Sequence, residues 1–359
     1  MKPAQLLQNL KFRGTIIMSA FRYLFLAFAT ALLMIVISCS QRPNTADNST
    51  PAPSAASSPA TTIANNPTSG KPKININTAI LSELDKLEAK LGVPALSHRI
   101  QANRPYGSLQ DLVSKKVITQ EQFDQVKDLV TTEDIVLTGV AKDVDYMTKL
   151  GLMKGHMSVA KELLDLKKPE QAEPHIGHPV EEIYVDVQEQ FQERKVPDFK
   201  DKLIRLQDLV KSKPNDPQLK TEFDAAMTAI DQAIAALPNE QRQSPAFVLQ
   251  VINGLLDTAS AEYTAAISNG KITEAIEYQD SRGFVDYAHN TLYKGIEAPL
   301  TKESPKTHDQ AKTAFDQLSK AWPSPVPPAT PVISADEVAA KIKTIEQSSQ
   351  PLITAAAPK

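Results

Sequence analysis

Three histidines, His156, His175 and His178, fall within 23 residues of one another, and Glu181 and Glu182 follow at once. Neutral imidazole combined with carboxylate is a donor set suited to iron, zinc or copper. On a continuous helix His178 and Glu182 stand four residues apart and share a face. Met153 and Met157 add two soft sulfurs, which suit copper. No HxxxH, HExxH or CxxC pattern accompanies them. Two plainer readings compete: His178 caps the helix that Pro179 begins, and His156 is a hydrogen-bonded core residue.

A set of helices must position these groups. Met153, His156, Val159, Ala160 and Leu163 recur at intervals of three and four, so His156 lies toward the apolar face of its helix. The stretch "KKPEQAEPHIGH" reads as a turn-rich connection, with a new helix from Pro179. Asp216-Pro217 and Ser244-Pro245 mark two further helix starts, each a capping residue followed by Pro in the first turn. The expected architecture for residues 145–297 is an α-helical bundle. Residues 298–359 read as a Pro-rich tail. A short helix ends at Trp322, "PSPVPPATPV" is extended, and Ser334 with Glu337 caps a last helix. Trp322, the sole tryptophan, is expected to pack the tail on the bundle.

Residues 73–135 read as a separate small domain of four short helices. Asn77 or Thr78 caps the first, ahead of Leu81, Leu84 and Leu87. Pro94 opens the second, Ser108 caps the third, and Thr119 the fourth. The strings "ININTA", "PALSHRI", "RPYGSLQDL" and "QFDQVKDLV" occur in the order found in ComEA-type competence proteins. The segment resembles their double helix-hairpin-helix module and, more loosely, the extrinsic photosystem subunit PsbU. The resemblance implies two stacked hairpins, used by the first group for DNA and by the second for protein contacts.

DNA-binding hairpins of this type turn through Gly-hydrophobic-Gly, which lets bare amides approach a phosphate. Here the turns are Leu91-Gly92-Val93 and Val117-Ile118-Thr119, and the glycine positions are lost. The domain carries eight basic and nine acidic side chains, where duplex binding concentrates positive charge. Gly92, Arg99, Arg104, Lys115 and Lys116 are the candidate contacts to a nucleic-acid backbone. A protein-docking role is preferred over a DNA receptor.

The strings "GHMSVAKELLDLKKPEQAEPHIGHPVEEIY" and "SAEYTAAISNGKITEAIEYQDSRGFVDYAHNTL" resemble exported helical domains that accompany iron permeases of the FTR type. This resemblance implies a role near metal uptake, with iron or copper as the metal. His156, His175, His178 and Glu182 are then the first candidate ligands. Met153, Met157, Glu181, Glu262, Glu277 and Asp280 are accessory.

At the N-terminus Arg13 and Arg22 precede the apolar run "YLFLAFATALLMIVIS", too short for a transmembrane helix and suited to a signal peptide over residues 1–38. Val36-Ile37-Ser38-Cys39 resembles a bacterial lipobox, and lipidation accounts for Cys39, the sole cysteine. Met18 is an alternative start. Residues 39–72 are rich in Pro, Ser, Ala and Thr and read as a disordered linker. The net charge of −3 gives no general attraction to nucleic acid. No nucleophile–base pair or phosphate loop stands out, so the expectation is a non-enzyme. The whole reads as an all-α, lipid-anchored protein facing the periplasm or cell exterior, with a membrane-protein partner. A DNA-uptake receptor and a structural spacer are the alternatives.

Overall fold

The computed structural model describes residues 61–64 and 73–356. The segment read as a signal peptide, Cys39 and most of the segment read as a linker lie outside them. Within the segment read as a linker, the run Thr61–Ala64 forms a strand, β1, parallel to β4 at Ile135–Thr138. Among the described residues no helix is long and apolar enough to cross a membrane.

The helix-hairpin-helix module holds helices α1 (Leu81–Leu91), α2 (Leu96–Ala102), α3 (Asp111–Ser114) and α4 (Gln120–Val126). Its core is Ile76, Leu84, Leu87, Leu96, Ile100, Leu112, Phe123 and Val126. Ile74 and Asn75 (β2) pair in parallel with Val130 and Thr131 (β3), tying its two ends together. Thr119 caps α4 through a reciprocal bond pair with Gln122, as expected. The other caps differ. Helix α1 has no side-chain cap, because Asn77 instead bridges to Tyr106, accepting from its N–H at 2.7 Å and donating to its carbonyl at 2.9 Å. Asp111, within α3, accepts from the Gly107 and Ser108 N–H groups, so Ser108 is held rather than capping.

The second core is built on α5 (Gly139–Asp165), whose middle turns are buried on every face. Then come α6 (Pro169–His178), a π-helical turn at Pro179–Ile183, and α7 (Tyr184–Glu193). The expected connection at "KKPEQAEPHIGH" is therefore a helix. Pro169 sits in its first turn, where no N–H is needed, and Pro174 is carried inside it. Pro179 does not begin a new helix after a break, since His178 is itself helical and the π turn runs on through it. The cap reading of His178 is excluded.

Helices α8 (Lys200–Ser212), α9 (Leu219–Ala235) and the short α10 (Asn239–Arg242) follow. Helix α11 (Pro245–Ala265) starts at Ser244-Pro245 as read from the sequence. A tight antiparallel pair, β5 (Ile267–Ser268) and β6 (Lys271–Ile272), returns the chain as α12 (Ala275–Asp286). A second π turn, Tyr287–Tyr293, leads into α13 (Lys294–Glu303). Helices α14 (Pro305–Leu318) and α15 (Ala335–Ala355) complete the structure, and α15 carries the expected Ser334–Glu337 capping box.

The segment read as a tail belongs to this second core. Phe315, Leu318, Val338 and Ile345 are fully buried, and Trp322 packs edge-on against Tyr263 with centroids 5.1 Å apart. The stiff segment after Trp322 also ties down α12. Trp322, Ser324 and Pro325 offer carbonyls to Arg282, Tyr278 and Gln279.

Candidate metal centre

Helix α5 packs between α6 and α12. The closest approach of α5 to α12 is glycine on glycine: a Cβ on Gly283 would lie 2.2 Å from the Gly155 carbonyl oxygen. Only two bare backbones fit here. The contact brings His156, beside Gly155, against Asp280, one turn before Gly283. The Ser281 hydroxyl adds a 2.8 Å bond to the Ala259 carbonyl, which fixes α12 against α11.

Three imidazoles converge on Asp280. Nδ1 of His156 and Nδ1 of His175 each lie 2.6 Å from its Oδ1, and Nδ1 of His178 lies 3.4 Å from its Oδ2. One ligand atom from each of the four residues lies within 4.8 Å of all the others. His156, His175 and Asp280 are buried, and His178 keeps 27 % of its side chain exposed at the rim.

The surroundings set the protonation. The Gln279 amide is oriented by its neighbours, because its Nε2 donates to the Pro325 carbonyl at 3.0 Å. Its Oε1 therefore faces His175 Nε2 at 2.9 Å and accepts the proton there. In neutral His175 the lone pair then sits on Nδ1, aimed at a carboxylate oxygen 2.6 Å away. Such a contact is favourable only with a cation between the two atoms, whether a proton or a metal ion. This is how an outer carboxamide prepares a histidine ligand. His156 Nε2 is buried with no hydrogen-bond partner among the described residues. An orphaned polar atom of this kind costs about 1–3 kcal/mol.

Burial pushes the His156 imidazole below its ordinary pKa, so it is neutral at pH 7. For His178 burial acts the same way, but the hydrogen bond and charge of Asp280, with Glu182 and Asp85, lift it to about 9. Burial alone would raise the Asp280 carboxyl; His156 and His175 hold it well below the usual carboxylate range. A neutral His156 contributes its hydrogen bond rather than a charge. His178, raised at the rim, adds a further cationic neighbour to Asp280.

The donor set is three imidazoles and one carboxylate, which suits iron, copper or zinc. Of the first-choice set of His156, His175, His178 and Glu182 the structure brings the three histidines together, with Asp280 rather than Glu182 beside them. Glu182 stands next to the set, lending charge to His178 and accepting from the Leu81 N–H. Glu181 turns away to Gln207, 3.2 Å from its Nε2. Met153 and Met157 are fully buried members of the apolar core. Glu262 and Glu277 lie close enough to Asp280 for their charges to interact. The roles of Gln279 and the two glycines were missed; "GH" at 155–156 and "QDSRG" at 279–283 carried the only signal. Two of the three helices that carry the candidate ligands, α6 and α12, run into π-helical turns, a feature frequent at functional sites.

The nucleic-acid candidates are arranged differently. In the first hairpin the exposed amides at the start of α2 are already taken. Glu88 accepts from the Ala95 N–H at 2.8 Å, and from the N–H and hydroxyl of Ser97 at 3.3 and 3.2 Å. A carboxylate thus fills the place a phosphate would occupy. In the second hairpin the Thr119–Gln122 capping box takes the equivalent groups. Arg104 donates to the carbonyls of Ile76 and Ala79, and Lys115 to those of Asn103 and Pro105. Gly92 and Lys116 both adopt positive φ, at 61° and 58°, each four residues before the next helix, so the second turn is centred on Lys116 rather than on Ile118 as read from the sequence. Arg99 and Lys116 are exposed.

The fold and site together define an all-α protein with a helix-hairpin-helix module ahead of a helical bundle. Residues 69–131 match the family model of the helix-hairpin-helix motif, and residues 238–356 match that of the iron permease-associated 4-helix bundle domain. No curated protein and no solved structure matches the chain. The four long helical stretches of the second match are α11, α12 with its continuation α13, α14 and α15; the short α10 precedes them. Asp280 lies inside it, and the three histidines lie before it.

Proposed function

We propose that this protein binds a transition metal, iron first and copper second, at His156, His175, His178 and Asp280. It does so without catalysis, at a membrane surface outside the cytoplasm. The observation that carries the reading is the pair of atoms His175 Nδ1 and Asp280 Oδ1. Gln279 holds a lone pair against a carboxylate oxygen at 2.6 Å, an arrangement that calls for a cation. The match of residues 238–356 to an iron permease-associated domain supports iron, and a membrane permease as partner. Cys39 supplies the anchor, and the chain after it the reach.

Purified protein stripped with chelator and dialysed against iron(II) or copper(II) should retain one ion at this site. Retention equal to that of His156→Ala, His175→Ala and His178→Ala proteins sinks the proposal. For the anchor, Cys39→Ser should move the protein from the membrane fraction to the soluble one; an unchanged distribution removes lipidation from the account.

A further inference from the structure

Gln279 is the centre of a set of hydrogen bonds that reaches well beyond the histidine cluster. Its side chain is 1 % exposed. The amide oxygen faces His175 Nε2 at 2.9 Å, and the amide nitrogen donates to Gln171 Oε1 at 3.1 Å and to the Pro325 carbonyl at 3.0 Å. A carboxamide has one acceptor oxygen and two donor hydrogens, and here each has its place. Turning the group over would set all three contacts against one another in a buried site, where a lost partner is costly.

Gln171 and His175 stand one turn apart on α6, so one helix carries both a candidate ligand and a residue that orients its support. The other orienting group comes from the segment after α14. Its carbonyls at Trp322, Ser324 and Pro325 accept from the Arg282 guanidinium at 2.6 Å, the Tyr278 hydroxyl at 3.1 Å and Gln279. These three donors lie on both sides of Asp280 along α12. Pro323 and Pro325 have no N–H to give, so this strap meets α12 through its carbonyls. Pro323 is exposed, and Val326, Pro327 and Pro328 are half-buried, so the strap keeps an outer side toward solvent.

We propose that Gln171 and the strap of residues 322–325 are positioning elements of the metal centre, which fix the His175 ring through Gln279 and so couple metal binding to seating of the strap. The inference rests on the metal reading of the histidine cluster and goes beyond it by giving a surface segment control of the site. Groups that hydrogen-bond to a ligating histidine typically change metal affinity by about 10- to 100-fold when removed. Here the supporting amide is itself held from two directions, so the effect passes outward to both. Linkage makes the coupling reciprocal: a seated strap favours the ion, and the ion favours a seated strap. A partner that lifted the strap would loosen the ion without touching a ligand.

The test uses full-length protein and iron(II), with all four candidate ligands intact. Gln279→Ala should weaken iron(II) binding by about tenfold or more. Gln171→Leu should weaken it by a smaller factor, and Gln171→Glu, which keeps the accepting oxygen, should restore it. Tyr278→Phe removes one bond of the strap and no atom of the site, and should also weaken binding. Hydrogen exchange read by mass spectrometry supplies the converse. Saturating iron(II) should slow exchange in the peptide covering residues 322–333 of wild type and leave that of Gln279→Ala unchanged, a link that a merely structural glutamine would not make. Equal iron binding by wild type, Gln171→Leu and Tyr278→Phe, with strap exchange indifferent to iron, overturns the coupling and leaves the metal reading standing. Wild type that retains no iron(II) removes the metal reading, and the coupling with it.

Discussion

The hairpin turns and the histidine cluster both present polar groups able to hold an ion, and they treat them in opposite ways. In the first hairpin the Ala95 and Ser97 amides are occupied by Glu88, and Arg104 and Lys115 are spent on carbonyls of their own module. In the bundle, His156 Nε2 has no partner among the described residues, and His175 Nδ1 faces a carboxylate oxygen at 2.6 Å. Unsatisfied buried groups are costly, so a chain retains them where something else supplies the partner. The contrast separates a module whose turn amides are satisfied from within from a bundle that leaves a buried imidazole nitrogen without a partner among the described residues.

The largest way to break that contrast is at Asp280. Asp280→Ala should abolish retention of iron(II) in the dialysis assay. It should also lower the stability of the metal-free protein by about 3–5 kcal/mol in urea unfolding, because a buried ionic partner is removed. If the metal is retained, the ligand set assigned here is wrong. Gly283→Ala comes next. Its methyl group would collide with the Gly155 backbone, costing about 1–3 kcal/mol and at least tenfold in iron affinity by spreading α5 from α12. Normal affinity would show that the two helices do not set the donor spacing.

In the module, Arg104→Ala should cost about 1–3 kcal/mol of stability, since the Ile76 and Ala79 carbonyls lose a charged donor. Wild type and variant alike should leave duplex DNA unshifted on gels at low salt. A salt-sensitive shift abolished by this substitution would restore the nucleic-acid reading. The smallest effect is graded. His178 is lifted to about 9, and a metal must displace its proton, so apparent affinity should rise about tenfold per pH unit up to about 9. A flat profile between about pH 6 and 8 removes His178 from the ligand set.

Much of this was legible in the chain. Leu84 and Leu87 at helical spacing, the Thr119 and Ser334 caps and the Ser244-Pro245 start all became what their chemistry implies. The three histidines were legible because imidazole is scarce and they are close in sequence. Asp280 carried less signal: it is 124 residues from His156 and meets it only through the glycine contact of α5 with α12. Prolines at 174 and 179 suggested a break, while burial of His175 and Ile176 holds that stretch helical. The capture of the hairpin amides by Glu88 was equally hidden, because one glutamate among many acids gives no sign of where it folds back.

The glycine contact between α5 and α12 has a consequence for how firmly the site is spaced. Side chains at a helix interface can rotate to make room, whereas two touching backbones cannot be compressed or eased apart by rotamer change. His156 and Asp280 are mounted on either side of that stop. The spacing of the two backbones that carry them is therefore set by direct contact, and any ion held by both side chains would meet a separation that rotamer changes elsewhere in the interface do not relax.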